Sequence, residues 1–246
     1  MSPKILAWLR FFRVVNLPTV PGDVLAGAAM ASCTSPALPD FRAIAAASLA
    51  AVLLYMFGLA DNDIVGAATD QDRPIPQGLI SMRAARIARA LCLVVAVAIS
   101  LAVRFEVLWW APFVGITLSV LLYNRTKLPV VMGLCRGINC LLGAAACNAL
   151  ESHLPLRIDV PPLTGGVGFL WFFYIWGVTK YSEGEETDPA RKRRVGLLIG
   201  ALVWLQLAAT LFHDVLFRDF SFAAAQLAMI ALLFLLKRLL PGVSAS

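Results

Sequence analysis

Eight long apolar segments occupy almost the whole of this chain of 246 residues. A helix needs about 20 apolar residues to cross a bilayer core roughly 30 Å thick, and each segment is close to that length. Lipid leaves a bare backbone unsatisfied, and no series of alternating strands of about ten residues indicates a barrel. We therefore predict an all-α fold, a polytopic membrane helical bundle of about eight transmembrane helices in one domain over residues 1–246. The segments cover approximately residues 14–32, 43–63, 85–104, 107–123, 129–150, 163–182, 195–216 and 220–240.

The distribution of basic residues predicts the orientation of this bundle. A net charge of +6 could indicate nucleic-acid binding. When the loops are assigned alternately to two sides, however, sixteen of the 21 lysine and arginine residues fall on the side of the N-terminus and four on the other. Such asymmetry is typical of cytoplasmic loops. We expect a multi-pass protein of the inner or plasma membrane, with both termini cytoplasmic, the lipid bilayer as its surroundings and no nucleic-acid partner.

Two features of the sequence recur at an offset of 123 residues. Arg13-x-x-Asn16 corresponds to Arg136-x-x-Asn139, and the acidic residues at 61–63 correspond to Gly184-Glu185-Glu186. This offset predicts two pseudo-repeats, about 1–123 and 124–246, each with four helices. An even number of helices gives the halves the same orientation, and parallel repeats commonly place a functional site between them.

A cluster of acidic residues follows the second apolar segment, in the stretch DNDIVGAATDQDRPIPQG at residues 61–78. If the helix continues past residue 63, Asn62, Asp63 and Asp70 project towards one volume, since Asp70 lies eight residues after Asn62 and seven after Asp63. Clustered carboxylates repel one another and attract a cation. Mg²⁺ prefers oxygen ligands and binds through one or two carboxylates together with substrate phosphates. The stretch therefore predicts a magnesium site on the cytoplasmic side.

A second acidic cluster and several cations are predicted to face the first. Glu183, Glu185 and Glu186, followed by Asp188, end the sixth segment and would complete the metal site. Arginine chelates phosphate oxygens and lysine adds a mobile charge. A cationic cradle beside an oily bundle suits a prenyl diphosphate, whose allylic cation aromatic faces can stabilise. The predicted phosphate-binding residues are Arg73, Lys127, Arg136 and Lys180, and the predicted aromatic lining is Tyr55, Phe57, Tyr123, residues 171–174 and Trp176.

The alternative explanation is that these charges are only solvated helix ends, since surface ion pairs contribute little. Residues inside the apolar segments argue for function instead. Asn16, Asp23, Arg136 and Asn139 all lie within predicted spans, where polar groups are costly and commonly functional. The aromatic run at 171–176 is also explained by helix packing.

The motifs resemble those of a known family. Asn62-Asp63-x-x-Gly66-x-x-x-Asp70, with Asp72-Arg73-Pro74-Ile75-Pro76-Gln77-Gly78 close behind, is similar to the first aspartate-rich motif of the UbiA family of intramembrane prenyltransferases and its RPIPSG-like segment. The resemblance covers roughly residues 8–240. Shorter matches are Arg13-x-x-Asn16-x-Pro18, Tyr123-Asn124-x-x-Lys127 and Arg136-x-x-Asn139-x-x-x-Gly143.

This resemblance implies Mg²⁺-dependent transfer of a prenyl group from a polyprenyl diphosphate to a lipophilic, often aromatic, acceptor. It implies metal and diphosphate contacts for Asn62, Asp63 and Asp70, with the two aspartates as catalytic residues, and phosphate contacts for Arg73 and Lys127. The chain departs from the family pattern in three respects. Gly66 replaces the middle aspartate, the second DxxxD-like motif is replaced by the glutamate cluster, and eight spans are counted where nine are common. The segment GVTKYSEGE resembles that of a divergent, EboC-like branch.

The sequence also raises two rival functions. A non-catalytic family member could bind or carry a prenylated or aromatic metabolite, as the departures at Gly66 and in the second motif suggest. A CDP-alcohol phosphotransferase also uses membrane carboxylates and Mg²⁺, but the segment after Asp63 lacks the Asp-Gly step and the arginine of that signature.

Overall fold

The computed structural model describes residues 2–34, 39–103, 107–147, 151–153, 157–183, 188–240 and 243. Within these residues the chain forms nine helices and one small hairpin. The helices are α1 Pro3–Phe11, α2 Thr19–Ser32, α3 Phe41–Val65, α4 Met82–Val103, α5 Val107–Thr126, α6 Pro129–Ala146, α7 Pro162–Ser182, α8 Pro189–Phe217 and α9 Ser221–Leu239. The hairpin pairs β1 Glu151–His153 with β2 Arg157–Asp159 in antiparallel register, Glu151 opposite Asp159.

The prediction of an all-α membrane bundle is confirmed. Six of the described helical stretches are long and apolar enough to cross a membrane: α2 together with the 3₁₀ turn Val14–Asn16 before it, and α3, α4, α6, α8 and α9. Helices α5 and α7, of 20 and 21 residues, coincide with the other two predicted segments. The short helix α1 and the hairpin are additions that the apolar segments did not predict. The division into two four-helix halves stays a prediction, as does the side of the membrane on which each loop lies.

Local sequence signals explain where several helices begin. The Asp40 carboxylate accepts hydrogen bonds from the backbone N–H groups of Arg42 and Ala43, at 3.0 and 3.2 Å, and so caps α3. Asp188 caps α8 in the same way, at 2.9 and 3.2 Å. Aspartate is a favoured N-cap, and proline suits the first turn because its missing N–H needs no partner there. Prolines begin α6, α7 and α8.

Helix α6 packs closely between α2 and α7 because glycines replace side chains at the contacts. A Cβ atom on Gly143 would lie 2.1 Å from the carbonyl oxygen of Val24, and one on Gly27 would lie 2.1 Å from that of Cys140. On the α7 side, a Cβ on Gly133 would lie 2.5 Å from the carbonyl oxygen of Phe172. Small residues drive helix association in membranes by allowing backbones to approach. This packing sets the position of the α6 residues that reach the site.

Candidate functional site

A cavity of about 970 Å³ lies where α3 and α5 end and α6 begins. Its wall runs along α3 from Ala51 to Asp63, a distance of about 18 Å at 1.5 Å per helical residue. Apolar side chains in the lining include Leu59, Ile116, Val120 and Met132. The charged residues among the described lining are Arg10, Arg13, Asp63, Asp70, Asp72, Arg73, Lys127, Arg136 and Lys192. The cavity therefore has a charged end and a wall that carries both apolar side chains and the polar groups of Tyr55, Arg136 and Asn139.

The structure brings Asp63 and Asp70 together, although not on one continuous helix. Helix α3 ends at Val65 and a short 3₁₀ turn over Gly66–Ala68 follows, so the prediction that one helix carries both aspartates is wrong. The Asp70 backbone N–H donates to the carbonyl oxygen of Gly66 at 3.0 Å, and this turn returns Asp70 towards the end of α3. The Arg73 guanidinium then bonds both carboxylates, through Nη1 to Asp63 and through Nε to Asp70.

The loop after Asp70 is folded so that Arg73 reaches this position. The carbonyl oxygen of Pro74 accepts hydrogen bonds from the N–H groups of Leu79 and Ile80, at 3.0 and 3.2 Å. Gly78 has a φ of +70°, a conformation that glycine adopts without a Cβ clash. Ile80 is buried against a cluster that includes Phe11. The loop is thus anchored in the apolar core on one side of Arg73.

The end of α5 is tied to the end of α3 by two pairs of side chains. Lys127 donates to the Asn62 side-chain oxygen. Asn124 donates to the carbonyl oxygen of Gly58 at 2.9 Å and to the carboxylate of Asp61 at 3.0 Å. Asp61 does not line the cavity, and its buried carboxylate also accepts a hydrogen bond from Arg89 of α4 at 2.7 Å. Asp61 therefore joins α3, α4 and α5 behind the site, a role that sequence reasoning missed.

Two of the cavity's cations have strained backbones. Arg13 and Lys127 adopt left-handed φ values of 43° and 55°, which are uncommon for residues other than glycine and cluster at functional sites. Burial lowers the pKa of Lys127 below its ordinary value, and the neighbouring Arg73 and Arg13 guanidinium groups lower it further. This lysine lies among like charges, so an anion at the same place would be attracted by all three groups.

Arg136 lies deeper in the cavity wall than its predicted role at the charged end required. Its Nη1 donates to the Asp23 carboxylate at 2.7 Å and to the carbonyl oxygen of Thr19 at 3.1 Å, and Nη2 reaches the Thr19 hydroxyl at 3.1 Å. Gln206 of α8 also donates to Asp23, at 2.7 Å. The guanidinium carbon lies 6.0 Å from the centre of the Tyr55 ring. Arg136 is thus part of a buried network that links α2, α6 and α8.

Two of the remaining predicted residues, Lys180 and Glu183, are not gathered at the cavity. Lys180 and Glu183 pair with each other at 2.7 Å, both more than half exposed, and neither is among the described residues that line the cavity. Glu185 and Glu186 lie outside the described residues. Sequence reasoning overlooked Arg10 and Lys192 as lining residues, because their signal is only that of charges near helix ends.

The aromatic residues divide between the cavity and the helix packing. Tyr55 and Tyr123 line the cavity as predicted. The aromatic run of α7 does not belong to the described lining: Trp171 is buried in the core, whereas Phe173 and Trp176 are 42% and 39% exposed on the outside of the bundle. The packing explanation is therefore the better one for the α7 aromatics.

The donor set fits a single divalent ion more readily than a larger cluster. The oxygens of Asp63 and Asp70 already converge on one cationic group, the Arg73 guanidinium, and the Asn62 side chain is adjacent. Within the described part of the chain, no group of three or more His, Cys, Asp or Glu side chains is arranged to hold a metal. Two carboxylates are enough for Mg²⁺ when a phosphate ligand supplies further oxygens.

Comparison with known proteins identifies the fold. A family model described as the UbiA prenyltransferase family matches residues 24–243, and the comparison with curated proteins gives no match. A structure of digeranylgeranylglyceryl phosphate synthase superposes with a TM-score of 0.59 at 18% identity, covering 96% of this chain and 88% of that one. A UbiA homologue from Archaeoglobus fulgidus bound to GPP and Mg²⁺ gives 0.55 at 13% identity, covering 100% and 89%. Its structure bound to DMAPP and Mg²⁺ gives 0.56 at 12% identity, covering 98% and 88%.

Proposed function

Because this chain belongs to the UbiA prenyltransferase family, we propose that it transfers a prenyl group from a polyprenyl diphosphate to a lipophilic, often aromatic, acceptor within the membrane. The observation that carries the proposal is the composition of the cavity. Asp63, Asp70, Arg73 and Lys127 meet at one end of a space whose wall also carries the apolar side chains of Ala51, Ile116 and Val120. A ligand that matches both ends has an anionic head and a hydrocarbon tail.

The cationic residues are assigned to the diphosphate. Arg73 can present two N–H groups to phosphate oxygens, since it already bonds two carboxylates with different nitrogens. Lys127 and Arg13 also line the cavity and add positive charge. The homologue from Archaeoglobus fulgidus has been solved with GPP or DMAPP and Mg²⁺, and Asn62, Asp63 and Asp70 would hold that metal here. When bound, it would neutralise negative charge that develops on the leaving diphosphate.

The reaction breaks the bond between the first carbon of the prenyl chain and the diphosphate oxygen. The electron pair leaves with the diphosphate, and the allylic carbon bonds to the acceptor. The acceptor gives up one proton, which passes to the departing diphosphate or to water at the charged end. The faces of Tyr55 and Tyr123, which line the cavity, would stabilise the allylic cation through cation–π attraction. The cytoplasmic location of the charged end also belongs to this proposal, as does a contribution to the metal site from Glu185 and Glu186, whereas Glu183 does not line the cavity.

Binding of geranyl thiodiphosphate, a slowly reacting prenyl diphosphate, tests the site without knowledge of the acceptor. With the protein in nanodiscs, we expect Mg²⁺-dependent binding that Asp63→Ala and Asp70→Ala each weaken at least about tenfold, since charge-assisted contacts are worth a few kcal/mol. Asp219→Ala is the matched control, because Asp219 lies between α8 and α9, at the other end of α8 from Lys192. No binding by folded wild-type protein would refute the proposed site.

The rival function, a non-catalytic carrier of a prenylated or aromatic metabolite, is favoured by Gly66, which stands where the family's middle aspartate is expected. A Cβ atom at Gly66 would meet nothing within 4 Å, and its φ of −81° suits any residue. Gly66→Asp should therefore fold normally. Transfer activity that appears only in Gly66→Asp would support the carrier, whereas robust transfer by the wild type to any lipophilic acceptor in a screen would exclude it.

A further inference from the structure

One guanidinium occupies the space between the two carboxylates that the proposed function assigns to a metal. Arg73 bonds one oxygen of Asp63 with Nη1 and one oxygen of Asp70 with Nε. The Asp63 side chain is 5% exposed and the Arg73 side chain 24% exposed, so the pair with Asp63 is largely shielded from water. These are the same two side chains whose oxygens a divalent ion would use.

Arg73 is held at this position by its own backbone. Its N–H donates to the carbonyl oxygen of Asp70 at 3.4 Å, and its carbonyl oxygen accepts from the Gln77 N–H at 3.2 Å. The loop continues to Ile80, which is buried in the core. The cation is therefore built into the site, at an effective concentration that an ion from solution must overcome.

The charge of the cavity disfavours a metal ion that arrives alone. Apart from Arg136, which is paired with Asp23, its described lining carries five cationic side chains, those of Arg10, Arg13, Arg73, Lys127 and Lys192, against the three carboxylates of Asp63, Asp70 and Asp72. A divalent ion would add charge to an already positive site and would also have to displace Arg73 from two partly buried ion pairs. Both effects make the binding of a divalent ion alone less favourable.

A diphosphate reduces both the charge repulsion and the cost of displacing Arg73. Its negative charge balances the cations of the cavity end, and its oxygens offer Arg73 a bidentate partner in exchange for the carboxylates. The carboxylate oxygens that Arg73 releases become available, and phosphate oxygens complete the ligand set that Mg²⁺ prefers. The two ligands therefore assist each other, and by linkage the assistance is reciprocal.

We propose that Arg73 blocks Asp63 and Asp70 to a free divalent ion, and that the metal binds only together with a diphosphate that draws Arg73 away. This inference rests on the diphosphate site of the proposed function and adds the order of events to it. Metal and diphosphate enter as one complex or with the diphosphate first. The two carboxylates thus pair with the Arg73 guanidinium in the free protein and with the metal ion when the diphosphate is bound.

Manganese is a suitable probe, because free Mn²⁺ has an electron paramagnetic resonance signal that disappears on binding. Wild-type protein in nanodiscs should leave the signal of Mn²⁺ unchanged, and geranyl thiodiphosphate should make the signal fall in proportion to protein. Arg73→Ala should bind Mn²⁺ without any diphosphate, at least about tenfold more tightly than the wild type. Asp63→Ala combined with Arg73→Ala should lose that binding, which would place the ion at the carboxylates.

Arg83→Ala is the matched control, since it removes one exposed arginine of α4 that does not line the cavity. It should bind Mn²⁺ alone no better than the wild type does. Wild-type protein that binds Mn²⁺ alone as tightly as Arg73→Ala does would overturn the inference. Failure of thiodiphosphate to bind would instead count against the proposed function, and the comparison of wild type with Arg73→Ala in Mn²⁺ alone would still decide the role of Arg73.

Discussion

The buried ion pair between Asp23 and Arg136 offers the sharpest test of how the bundle is held together. Asp23 is fully buried and the Arg136 side chain is 11% exposed. Asp23→Leu removes the acceptor for Arg136, Gln206 and Asn139, at 2.7, 2.7 and 3.4 Å. Removal of one partner from a buried pair costs about 3–5 kcal/mol because the other charge is left uncompensated. Arg136 and Gln206 keep their hydrogen bonds to Thr19, so we expect the lower end, about 3 kcal/mol.

The double variant separates the ion pair from simple loss of packing. With Arg136→Met added to Asp23→Leu, both charges are gone and apolar groups fill the space, so most of the stability should return, to within about 1–2 kcal/mol of the wild type. Unfolding by sodium dodecyl sulfate in bicelles, followed by tryptophan fluorescence, measures the free energies. Asp40→Ala, which removes an exposed helix cap, provides the scale at about 1 kcal/mol. A cost below that scale for Asp23→Leu, or a double variant as unstable as the sum of the singles, would refute the reasoning.

Three further outcomes test the packing and the cavity. Gly143→Ala should prevent folding or cost about 3 kcal/mol or more, because its Cβ would lie 2.1 Å from a backbone oxygen, whereas Gly177→Ala, which has nothing within 4 Å, should be neutral in the same unfolding assay. Asp61→Ala should lower the free energy of unfolding by about 1 kcal/mol in the same assay, since Asn124 keeps its bond to Gly58 and only the part-exposed Arg89 loses its ion-pair partner. Lys192→Ala should weaken thiodiphosphate binding several-fold, whereas Lys180→Ala should leave it unchanged, because only Lys192 lines the cavity; equal effects would contradict the placement.

The positions of the helices could be predicted from the sequence because membrane helices are recognised by their length and apolar composition. The segment at 43–63 corresponds to α3, Phe41–Val65, and the segment at 129–150 to α6, Pro129–Ala146. The turn after α3 could not be predicted in the same way. Spacing alone placed Asp70 on a continuing helix, whereas Gly66 ends α3 and a 3₁₀ turn follows.

The site was predictable where its residues are close in sequence and less so where they are distant. Asp63, Asp70 and Arg73 share one motif, and the structure gathers them. Arg136 finds its partner Asp23 at a separation of 113 residues, and no local pattern discloses such a pair. The charge of Arg136 inside a span was correctly taken as unusual. Its pairing with Asp23, however, decides whether the guanidinium is available to bind a ligand.

The polar network around Asp23 also bears on how the protein enters the membrane. Helix α2 belongs to the span with the lowest mean hydropathy of the six described, 1.2, yet 83% of that span is buried inside the protein. Arg136 is the 113th residue that the ribosome adds after Asp23, and Gln206 is the 183rd. Until then the carboxylate has neither partner, and a charge at a helix centre costs about 2.5–3.5 kcal/mol on insertion scales. The first of the described long helices to be synthesised is therefore among the last to reach its final surroundings.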